Sequence, residues 1–173
     1  ILSKLPFDEV NRQLPGTLDD GSEDEQARFI EGVFSVNDRV LRIVSLYLPN
    51  GNPVDSEKFP YKLNWMQRLE DWAKDRLALE EPLVLAGDFN VIPEPEDCYN
   101  PATWEGDALF KPESRAAFRQ LVNLGFTDAY RSVDDSSGIY TFWDYQGGAW
   151  QKNNGIRIDH LLLSPEAADH LDG

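Results

Sequence analysis

The chain has 173 residues, is 41% hydrophobic and carries nine Phe, five Trp and six Tyr, a composition that supports one globular domain with a real core and excludes a disordered chain. Its net charge of −15 argues against a broad electrostatic grip on nucleic acid, so any phosphate group has to be met locally, by a bound cation or a few placed Lys and Arg. The single cysteine, Cys98, excludes an intrachain disulfide and fits a reducing compartment, and no window approaches 18 consecutive apolar residues, so no membrane span is expected.

In chain order, Ile1 to Leu5 reads as the tail of a strand and Asp8 to Glu25 as a solvated, acidic loop. Two strands are predicted over Ala27 to Ser35 and Arg39 to Leu48, joined by the polar break Val36-Asn37-Asp38, which suits a hairpin turn. The second alternates a mostly apolar face with a mixed one, as for a strand covered on both sides. It runs into Tyr47-Leu48-Pro49-Asn50-Gly51, where Pro49 stops the ladder and Asn50-Gly51 turns the chain. Tyr61 to Leu79 is the clearest helix, with Leu63, Met66, Leu69, Ala73 and Leu77 as its core stripe and Gln67, Arg68, Glu70, Asp71, Lys74 and Asp75 opposite.

Leu83 to Asn90 is a short apolar run ending in Gly87-Asp88-Phe89-Asn90. It reads as a buried strand that delivers a carboxylate and a carboxamide to solvent, two residues apart and on the same side of the chain. Gly87 lets a ligand or another backbone come close. Such oxygens suit a hard cation, and the carboxylate can take a proton from water. The competing reading is an Asp/Asn turn that ends the strand by bonding its own backbone.

Val91 to Lys111 is a long loop whose aromatics are read as pinning it to the body. Pro112 to Leu124 is a second helix, with Pro at its start and Gly125 past its end. Phe126 to Arg131 is a connector, Ile139 to Trp143 a strand, Asp144 to Gly155 a loop, and Arg157 to Ser164 a further buried strand entered by charged residues that read as a structural ion pair. Pro165 starts a last helix. Strands and helices alternate around a hairpin, which predicts a mixed α/β layered sandwich.

Four stretches now stand together: Tyr47-Leu48-Pro49-Asn50-Gly51, Gly87-Asp88-Phe89-Asn90, Tyr140-Thr141-Phe142-Trp143-Asp144-Tyr145, and Asn153-Asn154-Gly155-Ile156-Arg157-Ile158-Asp159-His160. In that order they resemble the exonuclease III family of abasic-site endonucleases, within the endonuclease/exonuclease/phosphatase superfamily. The resemblance implies a four-layer α-β-β-α sandwich with two mixed sheets, here truncated at both ends, so that the chain is expected to be one incomplete domain. It implies cleavage of double-stranded DNA at abasic sites with Mg²⁺ or Mn²⁺, together with 3′→5′ exonuclease and 3′-phosphatase activity at 3′ ends, by a cytoplasmic monomer.

Residue by residue, the resemblance makes Asp88 the general base and metal-linked carboxylate. Asn90 becomes the residue that positions the nucleophile beside the metal. Tyr47 contacts the scissile phosphate, and Asp159 orients a catalytic His. Phe142, Trp143, Asn153 and Ile156 are expected at the substrate. The family's metal-binding Glu and catalytic His are expected outside Ile1 to Gly173, since His160 faces away from Asp159 and His170 sits in the terminal helix. The chain alone is therefore expected to have little activity. Arg28, Lys152 and Arg157 are read as surface or salt-bridging residues. Two alternatives stay open, a superfamily sibling hydrolysing another phosphoester and a non-catalytic binding module.

Overall fold

A computed structural model describes residues 1–172. Strand β1 (Glu9–Asn11) pairs with the hairpin of β2 (Phe29–Val36) and β3 (Arg39–Tyr47). The hairpin turns on Asn37 and Asp38, both at positive φ, as two-residue loops matched to strand twist require. Helix α1 (Lys58–Leu77) then carries the chain back to β4 (Leu83–Asp88), which lies parallel to β3. After a single 3₁₀ turn (Pro95–Asp97) come α2 (Pro101–Trp104), α3 (Pro112–Asn123), β5 (Thr127–Asp128) and α4 (Ala129–Val133). The last third holds β6 (Phe142–Trp143), α5 (Ala149–Lys152), β7 (Gly155–Ile156), β8 (Asp159–Leu163) and α6 (Pro165–Ala168).

Six strands form one sheet in the order β1-β2-β3-β4-β8-β5. Only the β3–β4 pair is parallel, and its strands are joined by the crossover helix α1 that a parallel pair requires. This is the expected mixed α/β fold. Among the described residues the second sheet is a two-stranded antiparallel ribbon, β6–β7, rather than a full mixed sheet.

One face of the six-stranded sheet buries Val44, Leu46, Leu83, Leu85 and Leu162 against Trp65, Met66, Leu69 and Trp72 of α1 and Phe118 and Leu121 of α3. Each of these side chains adds about 1.5–3 kcal/mol by leaving water. A smaller apolar cluster of Ile92, Cys98, Leu109, Phe110, Ile156 and Ile158 lies beneath the ribbon. On the opposite face of the main sheet, Leu41, Ile43 and Val84 are only half-buried and Leu161 is exposed. Strand β3 is therefore covered on one side, not both, among the described residues.

Several boundaries differ from the sequence reading. Ile1 to Leu5 forms no strand, and β1 falls inside the stretch read as loop. Arg68, placed on the outer face of α1, is buried, because Leu14 and Pro15 offer it carbonyl oxygens and Asp24 a carboxylate at 3.0 Å. The Ile139 to Trp143 strand shrinks to two residues because its partner β7 is only two long. The loop after β4 holds two short turns and is pinned by Ile92, Ala108, Leu109 and Phe110, all buried.

Candidate active site

The site is laid out by strand pairing. In the parallel ladder Tyr47 is opposite Asp88, and in the antiparallel one Asp88 is opposite Asp159. Three neighbouring strands thus end in Tyr47, Asp88 and Asp159, side by side at a strand spacing of about 4.8 Å. All three belong to the residue set that alternates with the core-facing Leu46, Leu85 and Leu162, so they share the open face of the sheet. Gly87 sits at φ +147°, and a Cβ there would come within 2.0 Å of the Leu46 carbonyl oxygen. The close approach read from the sequence is that of the neighbouring strand.

Tyr47 is half-exposed, with the Arg28 guanidinium 5.2 Å from its ring centre and Arg28 Nη1 donating to its carbonyl at 3.2 Å. Asp159 is exposed, and its backbone N–H donates to Thr141 Oγ1 at 3.0 Å, as does that of Ile158. The segment before β6 is thereby fastened to the start of β8.

Strand β4 stops at Asp88, two residues earlier than the sequence suggests. Asn90 adopts φ +48°, and its N–H turns back to donate to Asp88 Oδ1 at 2.7 Å. Asp88 and Asn90 therefore meet through an Asx turn, not through strand periodicity. The Asn90 side chain is buried: Nδ2 donates to the Leu48 carbonyl at 2.9 Å and Oδ1 accepts from Asn50 Nδ2 at 3.1 Å. Burial pushes the Asp88 carboxyl up to about 6, and the charge of Asp159 works in the same direction, against the Asn90 N–H and Lys62. A carboxylate so poised is ionised at neutral pH and still basic enough to take a proton.

Beneath this pair lies a residue the sequence reading passed over. Lys62 is 0% exposed, and its ammonium donates to the carbonyls of Asn90 at 2.6 Å and Asn50 at 3.1 Å. It clips the loop after β3 to the loop after β4. Burial pulls its pKa down to about 7, against the pull of Asp107 and Asp88. Gly51 makes room for it, since a Cβ there would lie 2.7 Å from Lys62 Cδ. A readable signal existed: Lys62 precedes Trp65 and Met66 by three and four residues, so it lies on the buried stripe of its own helix. Asn52 extends the frame, donating to Asp107 Oδ1 at 3.0 Å and accepting from the Ala108 N–H at 3.0 Å.

The four residues expected at the substrate gather at the β6–β7 ribbon. Phe142 is opposite Ile156, and Trp143 Nε1 donates to Asn153 Oδ1 at 3.1 Å. Phe142 is exposed, whereas Ile156 is buried in the smaller apolar cluster. His160 is buried on the core side, between Phe89 and Phe118, away from the exposed Asp159. Its Nε2 lies 3.0 Å from the Val91 carbonyl and its Nδ1 3.1 Å from Arg157 Nη1, which fixes Nε2 as the protonated nitrogen, because a guanidinium only donates. Burial and the Arg157 charge hold this imidazole below its ordinary pKa. Arg157 pairs with Asp97 at 2.7 Å and Asp128 at 2.8 Å, and not with Asp159 beside it in sequence.

Asp88 and Asp159 supply two carboxylates on one face, and Asp88 Oδ2 accepts no hydrogen bond from the described residues. No group of three or more His, Cys, Asp or Glu able to hold a metal ion occurs among the described residues. The chain thus fits part of the oxygen shell of a hard cation, which takes six or more ligands including water.

Known proteins resemble this chain along most of its length. Residues 1–170 match the model of the endonuclease/exonuclease/phosphatase family. An exodeoxyribonuclease of Bacillus subtilis is 30% identical over 131 residues, covering 75% of this chain and 51% of the relative. A DNA repair nuclease of Danio rerio is 37% identical over 123 residues, covering 70% and 39%. The solved structure of a 3′ phosphatase from Neisseria, bound to a product DNA hairpin, superposes with a TM-score of 0.86 at 35% identity, covering 96% of this chain and 62% of that one. The chain therefore spans about half or less of these two curated relatives. With the family model matched along nearly its whole length, the chain belongs to the endonuclease/exonuclease/phosphatase family, and its relatives and structural neighbours are exonuclease III and AP endonuclease proteins.

Proposed function

We propose that this chain is the part of a DNA repair nuclease that carries the general base, hydrolysing phosphodiesters 5′ to abasic sites in double-stranded DNA and trimming 3′ ends as exonuclease and 3′-phosphatase. The observation that carries the reading is the alignment of Tyr47, Asp88 and Asp159 on three neighbouring strand ends, with the Asp88 carboxyl raised to about 6. Asp88 takes a proton from the attacking water. Asn90, locked by the carbonyl of Leu48 and the amide of Asn50, fixes the turn that aims that carboxylate. Tyr47 offers its hydroxyl to a phosphate oxygen, and Asp159 stands ready to orient a partner group.

The cation that fits these oxygens is Mg²⁺ or Mn²⁺, which Asp88 would hold in part and which would supply charge neutralisation for the phosphate, whereas Asn90, expected from the sequence as a second ligand, has its buried carboxamide engaged by Asn50 and Leu48 and serves the turn instead. The ribbon of Phe142, Trp143, Asn153 and Ile156 stands beside the strand ends to receive the sugar. The lone, buried Cys98 supports a reducing, cytoplasmic setting. The similarity to the Neisseria 3′ phosphatase, whose structure is bound to a product DNA hairpin, supports action at 3′ ends.

The test is incision of a duplex bearing one abasic site by the full-length protein with Mg²⁺, beside the same protein carrying Asp88→Ala. Cleavage 5′ to the lesion that falls at least about a hundredfold in the variant is the expected result. A folded protein that leaves the duplex intact overturns the reading in favour of another phosphoester or a binding role.

A further inference from the structure

The link from β7 to β8, Arg157-Ile158, is where the ribbon meets the main sheet, and its backbone bonds run in three directions. The Arg157 N–H donates to the Asp97 carbonyl at 2.8 Å, and the Ile158 carbonyl accepts from the Phe89 N–H at 2.9 Å. The N–H groups of Ile158 and Asp159 remain. Strand β5 flanks β8 only at Leu162 and Leu163, too far along the strand to reach them. Both groups donate instead to one atom, Thr141 Oγ1, at 3.0 Å each. A hydroxyl oxygen has two lone pairs, and these bonds occupy both. Thr141 holds the same stretch a third time, since its own N–H donates to the Ile156 carbonyl at 2.9 Å.

The place matters because Asp159 is the first residue of β8, paired with β4 on one side, where a strand otherwise frays. Its side chain is exposed, so no close packing aims the carboxylate. The direction of Cβ follows from the backbone, and whatever fixes the Asp159 peptide therefore aims the side chain. Thr141 is itself exposed, so it contributes through its oxygen and not through burial. Its branched Cβ restricts χ1 and presents that oxygen with little rotamer freedom to lose.

We propose that Thr141 is a positioning residue for Asp159: its hydroxyl clamps the Ile158 and Asp159 amides and so aims the Asp159 carboxylate at its partner group. The clamp stands on the hydrogen bonds alone. Its consequence for the reaction rests on the nuclease reading of the site, which it extends from the three strand ends to a residue on the ribbon side that touches none of the reacting atoms.

The experiment compares the full-length protein with Thr141→Val, which keeps the shape and loses the oxygen, and with Thr141→Ser, which keeps the oxygen. Amide hydrogen exchange followed by NMR should show Ile158 and Asp159 exchanging about tenfold faster in the valine variant and near the parent rate in the serine one. Leu161 to Leu163 should keep their protection, which shows β8 intact. In incision of an abasic duplex with Mg²⁺, Thr141→Val should lower kcat about tenfold with KM changed less than about threefold, and Thr141→Ser should recover most of the loss. Added to Asp159→Asn, Thr141→Val should slow incision by no more than about a further twofold, because it acts through that carboxylate. Unchanged exchange in the valine variant overturns the inference, whether or not DNA is cut. So does an unchanged kcat, an effect confined to KM, or a tenfold loss that persists beside Asp159→Asn, the mark of a general structural role. A parent that cuts no abasic duplex, with exchange that still answers to the hydroxyl, sinks the nuclease reading and not the clamp.

Discussion

At the scale of single residues, Asp88 is held in surroundings that work against folding stability. Its carboxyl, raised to about 6 mainly by burial, binds a proton more tightly in the folded chain than in the unfolded one. Folding stability therefore falls as pH rises from about 4 through about 6, and the penalty stays in full above that. Asp88→Asn keeps an oxygen for the Asn90 N–H and removes the charge. In chelator-containing buffer the variant should be more stable than the parent at pH 7 by about 1 kcal/mol, allowing for solvent screening. The difference should vanish near pH 4, and urea denaturation at the two pH values checks it. A variant no more stable at pH 7 would mean that the carboxylate is not strained by its surroundings. Asp88 was legible in the sequence because an apolar run ending in Gly-Asp-Phe-Asn is an unusual place for a carboxylate. Lys62 was passed over, because a lysine inside a helix is read by default as solvent-facing even where, as here, it falls on the buried stripe, and the sequence does not show that its ammonium ends under two backbone carbonyls.

At the scale of elements, β4 is the piece the site depends on, and Gly87 is its least replaceable residue. A Cβ there would meet the backbone oxygen of Leu46 at 2.0 Å, and neither strand can retreat without breaking the ladder. Gly87→Ala should lower stability by at least about 3 kcal/mol, or prevent accumulation of folded protein, whereas Gly106→Ala, with open space around it, should stay within about 0.5 kcal/mol. Thermal denaturation of the pair separates local crowding from a general intolerance of alanine. The long elements α1, α3, β2, β3 and β4 could be read from apolar periodicity and Pro or Gly punctuation. Of the two-residue strands, β5 and β7 could not, since so few residues carry no period and their existence depends on partners far along the chain, while β6 was read too long, as Ile139 to Trp143. The same limit moved the end of β4: the sequence shows a polar pair two apart, but not that Asn90 leaves the strand for a left-handed turn.

At the scale of the molecule, one buried ion network joins the last third of the chain to the loop after β4. Arg157 reaches Asp97 and Asp128, Arg131 also meets Asp97, and the Arg157 guanidinium touches His160. The two guanidinium groups outweigh burial and hold the Asp97 carboxyl below its ordinary value. The stability it contributes is therefore present above about pH 4 and is lost as pH falls through its lowered value. Arg157→Met leaves buried Asp97 with one guanidinium partner, Arg131, beside the Glu94 N–H, and should cost about 3–5 kcal/mol, or roughly 10 °C in Tm. The loss should be largest near pH 7 and smaller as Asp97 becomes protonated, which calorimetry at several pH values would show. The sequence placed an ion pair here but paired Arg157 with the wrong acid, because its true partners lie 60 and 29 residues away.

The registration of Tyr47, Asp88 and Asp159 gives the site a ruler with fixed divisions. Across the strands the interval is the hydrogen-bond spacing of the sheet, about 4.8 Å, and along them it is one residue, about 3.3 Å. Neither can be adjusted gradually, because a slip of one residue also turns the side chain to the other face. Relatives built on this sheet cannot fine-tune the gap between these groups by repacking the core. New substrates have to be accommodated by whatever the loops lay over the sheet's edge, above an interval that stays the same.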